Sequence, residues 1–308
     1  MDYYDLCIAW NWEYDADFVG VLEAACAEHG VSLLQITPPS LSASCASLRD
    51  GQLAFGTLLD RATDADAQFL PIVQWAQRRG SDNINLHHKA RRARDKALMH
   101  RDFAAAGLSV PHTVILPAFS QHPSIPPPDL SQLGPLFSIK PACRGGGKGV
   151  VNAASSLEEV DAARQQYPDD HYLLQAHVEP VDLELGRAWF RLIYCLGKVH
   201  PCWWDVETHI YQVLQRSEQM EHIFDTLCAL AARIAALCGL GLFSTEVALT
   251  DGDDFVVVDY VNDPLDLRLQ SKAVDGVPDT VVRAIADRVA QLAVHGQRDA
   301  PARPSGTL

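Results

Sequence analysis

The chain has 308 residues, 48% of them hydrophobic, which is enough to bury a large core and to make two or three domains. Asp and Glu number 39 against 25 Lys and Arg, so the formal net charge is -14; nonspecific nucleic-acid binding is excluded, because neutralising phosphates needs surplus cations. Eight cysteines show no Cys-x-x-Cys and no paired spacing with histidine, which speaks against a disulfide framework and for a reducing cytoplasm. The start Met1-Asp-Tyr-Tyr-Asp-Leu has no basic region of a signal peptide. The most apolar window, 227–243, contains Arg233 and reads as a buried core helix, so no membrane span is expected.

In chain order, a strand from Tyr4 to Trp10, a helix from Ala16 to Glu28 stopped by Gly30, and a strand from Val31 to Ile36 begin an α/β pattern. A helix over Ser42–Asp50, a strand over Gln52–Gly56 and a helix over Asp64–Arg79 extend it, as a small parallel sheet requires. Eight of the 25 Lys and Arg fall between Arg78 and Arg101, a run that reads either as a solvated helix face or as a local anion site. A helix from Asp95 to Ala106 ends at Gly107, a strand covers Val110–Leu116, and six prolines from Pro117 to Pro135 mark a stiff surface loop.

The stretch from Phe137 to Val151 is the most informative. An apolar strand ends on Lys140, a turn carries Gly145, Gly146, Gly147, Lys148 and Gly149 with Arg144 beside it, and a second apolar strand follows. Glycines accept positive φ and let backbone N–H groups approach an anion. The loop does not open a helix with Gly-Lys-Ser/Thr, so it is not the Walker pattern; it reads as a flap over a phosphate-bearing ligand or as a plain glycine-rich hairpin. Next come a helix over Ser156–Tyr167 with a Ser-x-x-Glu capping box, a strand over Tyr172–Val178, and another from Trp189 to Val199 that turns at Gly197. A helix over Glu218–Cys238, two strands (Phe243–Leu249 and Phe255–Val261) and a helix over Pro278–Val294 complete the core, and a mobile tail is expected after it.

The closing strands carry Glu246 and Asp259, with Asn262 just beyond. A carboxylate interrupting an apolar strand is costly unless paired or bound to a cation. Two readings stand: a hard-oxygen site for Mg²⁺ on nucleotide phosphates, or a turn capped by Asp259 together with a Glu246–arginine pair.

Together these stretches resemble the ATP-grasp superfamily, in its branch of glutathione synthetase and the glutamate ligases that modify ribosomal protein. The matching order is Asp95-Lys96, Gly107 to Thr113, Lys140-Pro141, the Gly145–Gly149 loop, Gln175 to Val178, Arg191, then Glu246, Asp259 and Asn262, over roughly residues 75–275. The resemblance implies a mixed α/β chain: an amino-terminal parallel α/β domain (1–94), then two α+β subdomains that clasp ATP (95–178, with the flap at 143–149, and 179–296), with a tail at 297–308. It implies that Lys96 and Lys140 bind ATP phosphates and that Gln175, His177 and Val178 meet adenine. It further implies Glu184 at the ribose, Glu246, Asp259 and Asn262 on one or two Mg²⁺ (Mn²⁺ is an alternative), and Arg191 on the transferred phosphate.

Two positions depart from the family pattern. The acid and asparagine are one residue further apart, as Asp259-Tyr-Val-Asn262, and Trp189 stands where an aspartate precedes the arginine. Arg268 and Arg187 are candidates for the substrate, Arg268 being equally readable as a surface ion pair with Asp266 or Asp263. His87, His88, His112 and His122 read as solvated loop residues, and Cys143 as structural.

The function implied is an ATP-dependent ligase that activates a substrate carboxylate as an acyl phosphate and joins it to an amine or thiol. A kinase of the same fold acting on a small anionic hydroxyl compound is the alternative, and an inactive nucleotide-binding protein the third. The expected partner is a small-molecule or peptide substrate carrying a carboxylate; no nucleic acid and no membrane are expected, and a homodimer is left open.

Overall fold

The computed structural model describes residues 1–296; the expected tail at 297–308 lies outside the described residues. The chain divides into two compact units, Met1–His87 with the segment from Asp266 onward, and His88–Leu265.

In the first unit, β1 (Asp2–Trp10), α1 (Ala16–His29), β2 (Leu33–Ile36), α2 (Pro38–Arg49), β3 (Leu53–Arg61), α3 (Leu70–Arg79) and β4 (Asp82–Ile84) alternate. The four strands are parallel in the order β2-β1-β3-β4. Five successive residues of β1, Asp5 to Ala9, are buried, as befits a strand covered on both faces. Gly30 caps α1 at φ +66, a conformation that glycine enters without steric cost. Helix α2 starts earlier than the sequence suggests, because Thr37 and Ser40 form a capping box ahead of two prolines. Helix α3 starts later, at Leu70, after a short 3-10 turn that Asp66 caps. Arg61, at the end of β3, donates to Asp15 through Nε (2.9 Å) and Nη2 (2.6 Å), tying the entrance of α1 to the sheet.

The second unit holds α4 (His87–Ala93), which opens at the boundary, α5 (Lys96–Ala105), β5 (Thr113–Leu116), β6 (Phe137–Pro141), β7 (Val151–Ala154), α6 (Leu157–Gln166) and β8 (Tyr172–Ala176). A short hairpin follows, β9 (Asp182–Leu183) and β10 (Gly186–Arg187), then β11 (Trp189–Cys195), β12 (Lys198–Trp204), β13 (Tyr211–Val213), α7 (Glu221–Cys238), β14 (Leu242–Thr250) and β15 (Asp254–Asn262). These make two antiparallel sheets, β5-β8-β6-β7 and β13-β12-β11-β14-β15.

Strand β6 alternates: Phe137, Ile139 and Pro141 are buried, while Ser138 and Lys140 face the other way. Phe137 and Ile139 join Tyr172, Leu174, Val160 and Ala163 in a core covered by α6. On the opposite face of that sheet, Leu173 joins Phe103 of α5, Leu227 and Ile234 of α7, and Phe190, Phe243 and Val247 of the five-stranded sheet in one larger core. The two sheets of this unit thus share a single apolar interior, and Lys140 and Gln175 project from the shared face.

Some expectations need correction. The last helix, α8 (Asp279–Gly296), belongs to the first unit, where it packs on α1, β1 and β3, and not to the carboxy-terminal subdomain at 179–296. The stretches expected as separate subdomains, 95–178 and 179–296, form one unit as far as Leu265, because α5 and α7 close a core common to both sheets. His87 and His88 lie in helix α4, not in a loop, whereas His112 and His122 are exposed as expected. Among the described residues no helix is long and apolar enough to cross a membrane.

Candidate active site

Strand register places the acidic residues. Arg191 on β11 stands directly opposite Glu246 on β14, and Glu246 directly opposite Asp259 on β15, so one row crosses three strands. Asn262 pairs with Ser244, two positions before Glu246, while Asn262 stands three positions after Asp259 on β15. That mismatch is a β-bulge, in which one strand carries an extra residue that a regular ladder cannot hold. It absorbs the extra residue in Asp259-Tyr-Val-Asn262 and returns Asn262 to the side of Asp259, where Nδ2 donates to Asp259 Oδ2 at 3.0 Å. Thr245 fastens the bulge by donating from Oγ1 to the Asp259 carbonyl at 2.9 Å.

Cations surround the row. Arg191 Nη1 donates to Glu246 Oε1 at 2.7 Å, its other nitrogens reach Ser244 Oγ at 3.2 and 3.3 Å, and its guanidinium lies over the Trp204 ring at 4.7 Å. Trp189 Nε1 donates to Glu246 Oε2 at 3.3 Å. Lys96, the first residue of α5, brings Nζ to 3.8 Å from Asp259 Oδ1 and donates to the Arg144 carbonyl at 3.0 Å. Lys140 Nζ donates to Gln175 Oε1 at 2.7 Å.

The electrostatics follow from crowding in a partly dry place. Burial pushes Glu246 up, against the pull of Arg191, while the negative charge of Asp259 adds to the rise. Burial also acts to raise Asp259, but Lys96, Lys140 and Arg191 outweigh it and bring that carboxyl down to about 2. Desolvation lowers Lys140, with Asp259 and Glu246 opposing. Two carboxylates side by side are tolerated because the three cations stand against them, which leaves one net positive charge on a protein of formal charge -14.

The glycine loop is built differently. Gly145, Gly146 and Gly147 are exposed, with open space where a Cβ would stand, and Gly146 and Gly147 have φ +61 and +69. Two turns shape it, Lys148 N to Gly145 O at 3.3 Å and Val150 N to Gly147 O at 3.2 Å. Gly149 is structural: at φ +76 its Cβ would stand 2.4 Å from Tyr167 Cε2. Arg144 was expected to add charge to the loop; instead it donates through Nε to Asp170 Oδ2 at 2.7 Å and lies 4.6 Å over Tyr167. Partial burial, with Asp95 and Asp170 nearby, pushes the Cys143 thiol up to about 11, which suits a structural rather than a nucleophilic residue.

Lys96, Lys140, Gln175, Arg191, Glu246, Asp259 and Asn262 are therefore brought together. Gln175 does not lie in a connecting segment; it is a buried residue of β8 whose side chain holds Lys140. His177 and Val178 follow β8, His177 being exposed with Nε2 3.2 Å from Glu179 Oε2. Glu184 is exposed in the turn between β9 and β10, and Arg187 is paired with Glu179. Among the described residues no hydrogen bond or ion pair links these four, Lys148 or the loop glycines to the cluster. Arg268 belongs to the first unit, where Asp266 (2.7 Å) and Asp275 (2.8 and 3.2 Å) engage its guanidinium, the ion-pair reading of that residue.

Strand alternation puts Ser244 on the face of Glu246, but sequence reasoning missed Tyr260, His100 and the hydrogen-bonding role of Trp189. Tyr260 carried a usable signal, a phenol between the two residues of the acid–asparagine motif; the others carried none.

The site's fit to a divalent cation can be judged from its donors. Among the described residues no group of three or more His, Cys, Asp and Glu side chains could hold a metal alone. Glu246, Asp259 and the Asn262 amide oxygen make a partial set, and Mg²⁺ suits such a set, because it keeps waters and takes its remaining oxygens from substrate phosphates. Lys96 and Lys140 stand beside them, where those phosphates would need counter-charge.

No family model and no curated protein matches the sequence. Solved structures do match the fold. A RimK domain protein of the ATP-grasp type from Sphaerobacter thermophilus aligns at TM-score 0.62 and 20% identity, over 94% of this chain and 99% of that one. D-alanine–D-alanine ligase from Bacillus anthracis, solved with ATP, aligns at TM-score 0.64 and 10% identity, over 96% and 99%. The ATP-grasp ligase PsnB, solved with a minimal precursor, Mg and ADP, aligns at TM-score 0.62 and 13% identity, over 96% and 98%. The chain shares the fold of these ATP-grasp proteins.

Proposed function

We propose that this chain is an ATP-dependent ligase that activates a substrate carboxylate as an acyl phosphate and joins it to an amine or a thiol. The observation that carries the reading is the row Arg191–Glu246–Asp259 flanked by Lys96 and Lys140, a place with cations for phosphates and hard oxygens for a metal on the same few residues. The ATP-grasp fold supports it, and the solved neighbours described above include ligases bound to ATP or to ADP with Mg.

In this reading Lys140 and Lys96 bind the nucleotide phosphates, and the loop at Gly145–Gly149 closes over them with its backbone N–H groups, excluding water. Glu246, Asp259 and Asn262 would hold Mg²⁺, which supplies charge neutralisation between the phosphates. An oxygen of the substrate carboxylate attacks the γ-phosphorus, the bond to the bridging oxygen breaks, and ADP leaves. Arg191, held in place by Ser244 and stacked on Trp204, stabilises the charge on the transferred phosphoryl group. The amine or thiol then attacks the acyl carbon and loses its proton, and phosphate departs. The chain needs no nucleophile of its own, since positioning and charge supply the catalysis. A small molecule or a peptide bearing a carboxylate is the substrate class; His177, Val178 and Glu184 are assigned to the nucleoside.

Incubation with Mg-ATP, candidate amino acids and peptides, and hydroxylamine tests the proposal. Trapped hydroxamate with stoichiometric ADP supports an acyl phosphate. ADP with a phosphorylated hydroxyl and no hydroxamate would instead make the chain a kinase. An unfolding temperature unmoved by saturating Mg-ATP would reject nucleotide binding altogether.

A further inference from the structure

Behind Lys140 runs a line of polar side chains that the reaction does not itself require. Lys140 Nζ lies 2.7 Å from Gln175 Oε1, Gln175 Nε2 lies 2.8 Å from Tyr260 Oη, and Tyr260 Oη lies 2.7 Å from His100 Nδ1. Gln175 and Tyr260 are almost wholly buried, at 2% and 1% exposure, so water cannot stand in for a missing partner.

The inventory of protons fixes the direction of this line. An ammonium only donates, so the oxygen of Gln175 must face Lys140 and its NH₂ must face Tyr260. One amide hydrogen goes to Tyr260 Oη; Thr113 Oγ1, at 3.4 Å, takes the other and donates its own hydrogen to the Pro111 carbonyl at 2.8 Å. With His100 in the neutral tautomer whose Nδ1 is unprotonated, the phenolic hydrogen of Tyr260 goes to that nitrogen, and Thr113 is a further hydrogen-bond neighbour of the phenol. Burial, with His112 and Arg101 adding to it, lowers His100 and favours that neutral form. In that tautomer the three bonds run one way, from the ammonium to the imidazole, and bonds aligned head to tail strengthen one another. Tyr260 is further fixed by the edge-to-face packing of Phe103 at 5.6 Å.

We infer that Tyr260 and His100, through Gln175, are positioning residues that fix the Lys140 ammonium for the nucleotide phosphates. The inference rests on the reading of Lys140 as a phosphate-binding residue. Tyr260 and Asp259 are adjacent on β15, so the strand that offers a metal oxygen on one side anchors the phosphate lysine on the other.

Calorimetric titration of ADP and of adenosine into the full chain tests it. Tyr260→Phe keeps the ring and its packing but removes the hydroxyl; it should weaken ADP about tenfold, the effect of one buried hydrogen bond to an ordered partner, and leave adenosine unchanged. In a Lys140→Ala background the same change should add nothing. A fold that merely needs the hydroxyl would lose ADP and adenosine alike, or would show the full tenfold loss without Lys140, and either result overturns the inference; so does unchanged ADP affinity. His100→Phe, which removes the terminal acceptor, should repeat the pattern and serves if Tyr260→Phe does not fold. Wild-type protein that binds no ADP would reject the parent reading, and this one with it.

Discussion

The five-stranded sheet and the glycine loop hold their functional groups in opposite ways. In the sheet, Arg191, Glu246 and Asp259 are fixed by strand register, hydrogen bonds at 2.7 to 3.3 Å and a shared apolar core. In the loop, Gly145 to Lys148 are exposed, and the nearest arginine is drawn to Asp170. In the proposed reading, the strands present oxygens and cations at fixed separations, and the cover is an exposed loop held by its own turns. The difference tells which substitutions act on chemistry and which on folding.

Glu246→Gln should have the largest effect. It preserves shape but removes the carboxylate at the middle of the row, and turnover of Mg-ATP should fall more than about 100-fold while the chain stays folded; ADP release and thermal unfolding, measured side by side, check both halves. Undiminished turnover would break the contrast drawn for the sheet. Lys140→Ala removes one member of a buried charged cluster, at a cost of about 2 kcal/mol or more, and nucleotide affinity should drop about 30-fold. Isothermal titration with a nonhydrolysable nucleotide reads that directly.

Gly149→Ala comes next and acts on stability. With φ +76 and a Cβ 2.4 Å from Tyr167, it should destabilise the chain by about 1–3 kcal/mol in a denaturant titration. Gly145→Ala, with open space at the same test, should cost under about 1 kcal/mol. Equal losses at the two positions would erase the distinction between the anchored end of the loop and its free part.

The smallest effect concerns acid. Asp259 falls from 3.8 to about 2 on folding, so its ionisation stabilises the fold above its unfolded value, and that contribution is lost as pH drops from about 4 to about 2. Glu246, raised by burial, works in the opposite sense and offsets part of it. Asp259→Asn should therefore show a stability deficit that shrinks on acidification through that window, as read by urea midpoints at stepped pH. A deficit independent of pH would contradict the charge placement.

Much of this was legible in the sequence, and the rest was hidden for identifiable reasons. Lys140, Glu246 and Asp259 drew attention because charges within apolar strands are costly without a purpose, whereas Lys96, which opens a helix, was marked only by the family resemblance. The place of Asn262 could not, since the spacing to Asp259 looks wrong until the bulge opposite Ser244 and Glu246 is seen, and a bulge depends on the partner strand. Strand β12 escaped notice because Pro201 interrupts it, and proline argues against an interior strand. Helix α4, His-His-Lys-Ala-Arg-Arg-Ala, is too short and polar to show a periodic face. Arg144 read as added charge beside the glycine loop because nothing local in sequence announces Asp170 as its partner.

The placement of α8 bears on how the chain is made. Its partners α1, β1 and β3 lie near the start, and the whole second unit is inserted between. A nascent polypeptide can complete the inserted unit first, while the amino-terminal sheet waits with one flank bare until its last helix leaves the ribosome. A truncation that removes α8 should leave that flank, where α8 packs on α1, β1 and β3, open to water and prone to aggregate.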